Sequence, residues 1–437
     1  MQSKRTSSII KYPITHLQNF RKEMSKININ MCATSDTIDC WEKINFDTAE
    51  KCVKKLQKRI ALAYTNCNDK QVECLQKKLI HSFYAKAIAI NIVTSNNGNR
   101  TAGIDGVLWN KPEEKFQAIK TLKHRGYKHK PLKRMFIKKS NGQLRPLGIP
   151  TIKDRAMQTL YKLALEPIAE ITADSCSFGF RHNKGAKDAI AKCIELLSKH
   201  SEIEWILKAD IKACFDNISH KWIMENIPMD KEILKQFLQC GYVYNKIFYS
   251  SEKGIPQGSC ISGIICNMVL DGLERVLKDR FNDTVHIIRY ADDFIITGIS
   301  KASLQIVVPV VECFLSERGL SLSYEKTKIT HLKDGFSFLG YRIYKQNNNI
   351  ISVPTRDNID FLLNKIKEIL NDFPNMSYEC LCESLAKKLR GWLNYYTNLA
   401  MIESIHSVEF EIVSYITEHT GNKQIAKFIG KIFAQYD

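Results

Sequence analysis

Residues 286–298 read HIIRYADDFIITG, two short apolar, β-rich runs with Tyr290-Ala291-Asp292-Asp293 between them. The pattern predicts strands over 285–290 and 293–298, joined by a turn that carries two adjacent carboxylates. Like charges at the tip of an apolar hairpin repel, and a divalent cation relieves that repulsion. A second acidic element is built in the same way. In EWILKADIKACFDNISH (204–220) an apolar strand over 204–210 ends at Asp210, and Asp216 follows. Two strand-borne carboxylate clusters that converge hold two Mg2+ ions, the clamp required for in-line phosphoryl or nucleotidyl transfer.

Such chemistry needs positive charge for phosphates, and the chain is rich in it. Its 437 residues contain 64 Lys+Arg against 46 Asp+Glu, a formal charge of +18, with 44% of residues hydrophobic. A folded chain this basic favours a polyanionic partner, because each neutralised phosphate releases a counterion. Nucleic acid leads that class. Lys139 and Arg145 flank the Ser140-Asn141-Gly142 turn of a hairpin predicted over 130–150. Arg145 can grip a phosphate bidentately, and Lys139 acts as a point charge. The loop KGIPQGSCISG (253–263) offers Gln257 to a base or ribose, and its glycines permit close approach.

Around these elements the alternation of helical and strand patterns predicts an α+β chain. Residues 1–40 read as a basic arm. From Phe46 to about Val93 two basic amphipathic helices are expected, one with Val53, Leu56, Ile60 and Ala63 on its apolar face, the next with Val72, Leu75, Leu79 and Phe83. NGNRTAGIDG (97–106) marks a domain boundary near 105, and a further helix is predicted from Thr151 to Ala173. The 14 cysteines never show C-x2-C spacing and read as buried thiols. No membrane-spanning run or secretory leader is evident, so a reducing, cytoplasmic setting is expected.

The motifs occur together and in order. LQKRIALA and LQKKLIHSFYAKAIA are followed by TAGIDGV (101–107), RPLGIPTIKDRAMQTLYKLALEPIAE (145–170) and SFGFRHNKGAKDAI (177–190). KADIKACFDNISH, GIPQGS, RYADDF, FSFLGY (336–341) and RGWLNYY (390–396) complete the series. Over roughly Trp41 to Tyr396 the chain resembles a reverse transcriptase of the group II intron-encoded, maturase-like branch. The resemblance implies a right-hand polymerase of fingers, palm and thumb with a helical N-terminal extension. The expected division is a basic arm over 1–40, a helical extension over 41–105, fingers and palm over 106–340, and the primer-grip end and thumb over 341–437. Asp210, Asp292 and Asp293 would bind two Mg2+ ions, with the Ile211 carbonyl as a further ligand. Phe215 would exclude a 2′-OH, Lys139 and Arg145 would hold the triphosphate, Gln257 would line the nucleotide pocket, and Lys326 would protonate the leaving pyrophosphate. The implied partners are an RNA template, a DNA primer or product, and dNTPs; the oligomeric state is open. Trp392, Tyr395 and Tyr396, at helical spacing, read as thumb core.

Three departures qualify the resemblance. The loop after Gln257 reads Gly258-Ser259-Cys260-Ile261-Ser262-Gly263, where the branch has a further Gly and later Ser-Pro, and Lys138 stands where proline is common. No Cys/His cluster of an appended endonuclease follows RGWLNYY. The expectation is therefore a free-standing bacterial enzyme that works with a structured non-coding RNA in anti-phage defence. The rivals are an intron maturase without an endonuclease and a non-catalytic RNA-binding scaffold.

Overall fold

Asn45, Asn68 and Thr151 each precede an apolar periodic run, and each caps a helix by accepting the backbone N–H three residues on, at 2.9, 3.1 and 3.1 Å. The structure is a computed structural model that describes residues 38–138, 142, 144–372, 377–420 and 423–436. Residues from Cys40 onward form one unit. The basic arm read over 1–40 lies, up to residue 37, outside the described residues.

Among the described residues, three helices, not the expected two, run from Phe46 to Ser95: Phe46–Thr65, Asp69–His81 and Phe83–Ser95. Ser82, extended at φ −63° and ψ 131°, ends the second, so Phe83 opens a new helix rather than completing an apolar face. The third helix buries Ala85, Ala87, Ile88, Ala89, Ile90 and Val93 and so has no amphipathic period to read. Glu114 caps a fourth, Pro112–Thr121, accepting the backbone N–H groups of Asn110 and Lys111 at 2.8 and 3.0 Å. The predicted Thr151–Ala173 helix spans Ile152–Thr172, and the N-terminal helices pack on it. Arg155 on this helix donates to the carbonyls of Gly98 and Thr101, tying the 97–106 loop down.

The strands form three sheets. The first contains β1 (Leu132–Lys138) and β2 (Leu144–Ile149), the predicted hairpin. The central one begins with β3 (Trp205–Asp210). The hairpin β4 (Tyr242–Tyr244) and β5 (Ile247–Tyr249) extends the first sheet to the order β2-β1-β4-β5. Its Asn245-Lys246 turn has positive φ at both residues, 49° and 65°. With β6 (His286–Tyr290), β7 (Asp293–Gly298) and β8 (Lys328–His331), the central sheet runs β6-β7-β3-β8. The third sheet comprises β9 (Phe336–Phe338), β10 (Tyr341–Gln346) and β11 (Asn349–Pro354).

Four helices complete the chain: Arg356–Asn371, Tyr378–Tyr396, Ile402–Thr420 and Lys423–Phe433. Their buried Leu, Ile and Phe side chains join one core with Ile288 and Ile295 of the central sheet and Tyr341 and Ile343 of the third. Tyr396 is buried, and Trp392 and Tyr395 pack against the same core, as their helical spacing predicts. The architecture is the α+β, right-hand polymerase type with N-terminal helices. The expectation of buried thiols holds in part: Cys67, Cys74, Cys313 and Cys380 are exposed, whereas Cys193, Cys214, Cys240 and Cys266 are buried. No helix among the described residues is long and apolar enough to cross a membrane.

Candidate active site

Antiparallel pairing of β3 with β7 sets Asp210 directly opposite Asp293. β6 pairs with β7 in the register Tyr290 to Asp293, which leaves Ala291 and Asp292 as the turn. Ala291 is left-handed at φ 57°, so the turn is tight, and Asp292 feels the charge of Asp210. Three carboxylates from two sequence-distant segments therefore lie at one end of the central sheet. Burial raises the Asp292 carboxyl above the ordinary range, and the Asp210 charge adds to the rise. Burial likewise pushes Asp293 up to about 6, with Lys208 pulling in the opposite direction. Among the described residues, no three His, Cys, Asp or Glu side chains are already gathered as a metal-binding group. The nearest cation is the Lys326 ammonium, 3.1 Å from Asp210.

Beyond Asp210 the chain keeps its pairing with the strand that leads into β8. Ser323 N–H donates to the Asp210 carbonyl at 2.8 Å, and Lys212 N–H donates to Ser321 at 2.9 Å. The residue between two such bonds turns its own N–H and C=O to the opposite edge. For Ile211 that edge is the β7 side, where Asp293 begins.

Ala213, left-handed at φ 44°, then starts the short helix Cys214–Asn217. Phe215 on it is 9% exposed, its ring set edge-on to Phe180 at 6.2 Å. The 253–258 loop closes on this turn. Ile255 N–H donates to the Phe215 carbonyl at 2.6 Å, and a Cβ on Gly254 would lie 2.6 Å from that oxygen, so only glycine fits. Gln257 accepts from Arg145 Nε at 2.9 Å and lies 3.4 Å from Asp216 through its own amide nitrogen. Its carbonyl accepts from Gly148 N–H at 2.8 Å. Arg145 is thereby held near the carboxylates, where its charge opposes the rise at Asp292. Asp216, read with Asp210 as one acidic element, turns to Gln257 instead. Lys139 lies outside the described residues.

The support beneath the Ala291-Asp292 turn was not anticipated from the sequence. Arg289, 2% exposed, donates to the Ala291 carbonyl at 3.2 Å and to Asn267 Oδ1 at 3.3 Å, and pairs with Asp271. Asn267 Nδ2 in turn donates to the Gly179 carbonyl at 2.6 Å. Gly179 lies so close that a Cβ there would sit 2.5 Å from Ala291 N. One signal was available: a single arginine inside the otherwise apolar strand of HIIRYADDF must find a buried partner.

The family described as "Reverse transcriptase (RNA-dependent DNA polymerase)" matches residues 137–343, and the "N-terminal domain of reverse transcriptase" matches residues 41–122. Protein YkfC of Escherichia coli (strain K12) is 29% identical over 60% of this chain and 81% of its own length. The group II intron-encoded protein LtrA of Lactococcus lactis subsp. cremoris is 28% identical over 60% of this chain, which spans 55% of LtrA. Maturase-like protein 1 of Euglena gracilis is 26% identical over 82% of this chain and 76% of its own length. Among solved structures, telomerase from Candida albicans aligns with a TM-score of 0.41 at 13% identity, covering 71% of this chain and 62% of that one.

Proposed function

Because the chain belongs to the reverse transcriptase family, of the group II intron-encoded type, we propose that it adds dNTPs to a primer 3′ end on an RNA template by a two-metal mechanism. The observation that carries this reading is the register that sets Asp210 opposite Asp293 with Asp292 on the adjoining turn. The donor set suits Mg2+: all hard oxygens, with two neighbouring carboxylates that burial has made costly to ionise without a cation. Asp210, Asp292, Asp293 and the Ile211 carbonyl would hold the ions. When bound, these supply Lewis-acid activation of the primer hydroxyl and neutralise charge on the leaving pyrophosphate.

The remaining chemistry belongs to the chain. Arg145, held by Gln257, binds the triphosphate together with Lys139. Gln257 couples that arginine to the turn under the incoming sugar, where Phe215 acts as the steric gate against a 2′-OH. Lys326 is released from Asp210 when the site fills and donates its proton to pyrophosphate. A structured RNA is the proposed template. The altered 257–263 loop motivates a dedicated defence role, and unchanged phage sensitivity on gene deletion would oppose it.

The deciding experiment is labelled dNTP incorporation by the purified protein on a primed RNA, with Asp292→Asn in parallel. Incorporation should fall by at least about two orders of magnitude in the variant, with RNA affinity nearly unchanged. Retained synthesis in Asp292→Asn would refute the metal assignment. No synthesis by the unaltered chain on any primed RNA would favour the scaffold reading.

A further inference from the structure

The β2-β1-β4-β5 sheet has two faces, and only one looks toward the carboxylates. Residues opposite one another in the register share a face. Ile137 lies opposite Arg145, which reaches Gln257, so the face of Met135, Ile137, Arg145 and Phe248 is the one turned to the active site. The other carries Arg134, Phe136 and Lys138 of β1, Tyr242 and Tyr244 of β4, and Tyr249 and Ile247 of β5.

That second face is aromatic, basic and open. Phe136, Tyr244, Tyr249 and Ile247 are 44%, 39%, 40% and 57% exposed. The rings are also ordered against one another. Tyr242 stacks on Tyr249 at 5.1 Å and 13°, the Arg134 guanidinium lies 3.7 Å above Tyr242, and Phe136 meets Tyr244 edge-on at 5.4 Å. None of the four strands contains an Asp or Glu, and the β4–β5 turn adds Lys246. A solvent-facing sheet ordinarily places polar residues where these rings stand. A contiguous exposed apolar patch of this kind marks an interaction surface.

We propose that this outward face is a stacking platform for single-stranded nucleic acid, separate from the catalytic cleft. Charge complementarity selects the occupant: cations without acids suit a phosphate backbone, and exposed rings on a four-stranded sheet suit unpaired bases. Phe136, Tyr244 and Tyr249 take successive bases on their open faces. Arg134 and Lys138 contact the phosphates between them. The surface would tether a single-stranded segment while synthesis proceeds on the other side of the sheet, and its occupancy does not depend on whether the aspartates catalyse.

The test uses the full chain and a short labelled oligouridylate followed by fluorescence anisotropy. A Phe136→Leu/Tyr244→Leu double variant keeps the apolar bulk and removes both rings; its affinity should fall by roughly tenfold or more, with an unchanged thermal melt. Crosslinking the unaltered protein to a 4-thiouridine oligonucleotide reads the location directly, even if the variant folds poorly, and should label β1, β4 or β5 peptides. Crosslinks confined to other elements, or wild-type affinity in the double variant, would overturn the proposal. So would a dimer, seen by sedimentation, that the double variant disperses with oligonucleotide binding intact, since the face would then join two copies of the chain.

Discussion

Asp293 sets burial against charge. Burial pushes its carboxyl up to about 6, with Asp292 and Asp210 contributing and Lys208 opposing, whereas in the unfolded chain it titrates near the ordinary 4. Between those values the folded chain holds a proton that the unfolded chain has released. Stability therefore falls as pH rises through the window, and the full cost persists above it. Asp293→Asn should accordingly raise stability at pH 8 by roughly 1–3 kcal/mol while erasing incorporation. Thermal melts at pH 8 and pH 4 check this, because the gain should vanish at the lower pH; an equal gain at both would contradict burial as its source. The pairing of two acids in an apolar frame was legible from HIIRYADDF. The degree of burial was not, since it depends on which elements cover the turn.

Support of the Ala291-Asp292 turn is a property of elements rather than of the aspartates. The segment carrying Gly179 runs beside β6, with Phe178 N–H donating to Arg289 and Arg289 N–H donating to Cys176, both at 2.9 Å. Nothing larger than glycine fits between that segment and Ala291. Gly179→Ala should cost about 1–3 kcal/mol in stability and lower the incorporation rate by displacing the turn. Gly391→Ala supplies the contrast: a Cβ there meets nothing within 4 Å, and the position lies inside helix Tyr378–Tyr396. That change should stabilise by up to about 1 kcal/mol. Paired melts and single-turnover rates of the two variants check both expectations. Periodicity made the helices Phe46–Thr65, Asp69–His81 and Ile152–Thr172 legible at this scale. The helix Phe83–Ser95 escaped because burial on every side leaves no period, and β4 and β5 because each is only 3 residues long.

At the scale of the whole molecule, the C-terminal helices are anchored to the segment between β9 and β10 by tyrosines. Tyr395 and Tyr396 hydroxyls donate to the carbonyls of Leu339 and Gly340 at 2.7 and 3.0 Å, and the Tyr341 hydroxyl donates back to the Tyr395 carbonyl. The Gly340 carbonyl also accepts from Thr355 N–H at 2.9 Å, whereas the Leu339 carbonyl takes its side-chain donor from Tyr395. Tyr395→Phe removes one donor and should cost about 1 kcal/mol. Its signature should be shorter products per binding event, with the rate of first-nucleotide addition little changed, measured under single-hit conditions. A loss confined to first-nucleotide addition would place the tyrosine's role in the active site instead.

Read alone, the sequence determined the α+β character, the hairpin of paired aspartates, a second strand ending at Asp210 and the basic character that favours a polyanionic partner. Each of these is local: a period of two or 3.6 residues, a cap, a turn or a sum of charges is contained within a short window. Only the tertiary structure decided that Asp216 turns to Gln257, that Gln257 holds Arg145, that Arg289 lies beneath Ala291, and that one face of the β2-β1-β4-β5 sheet stays open. Those contacts join residues up to 112 apart in the chain, as between Arg145 and Gln257. No local pattern encodes such a pairing, because it is set by how separately formed elements bury their apolar faces against one another.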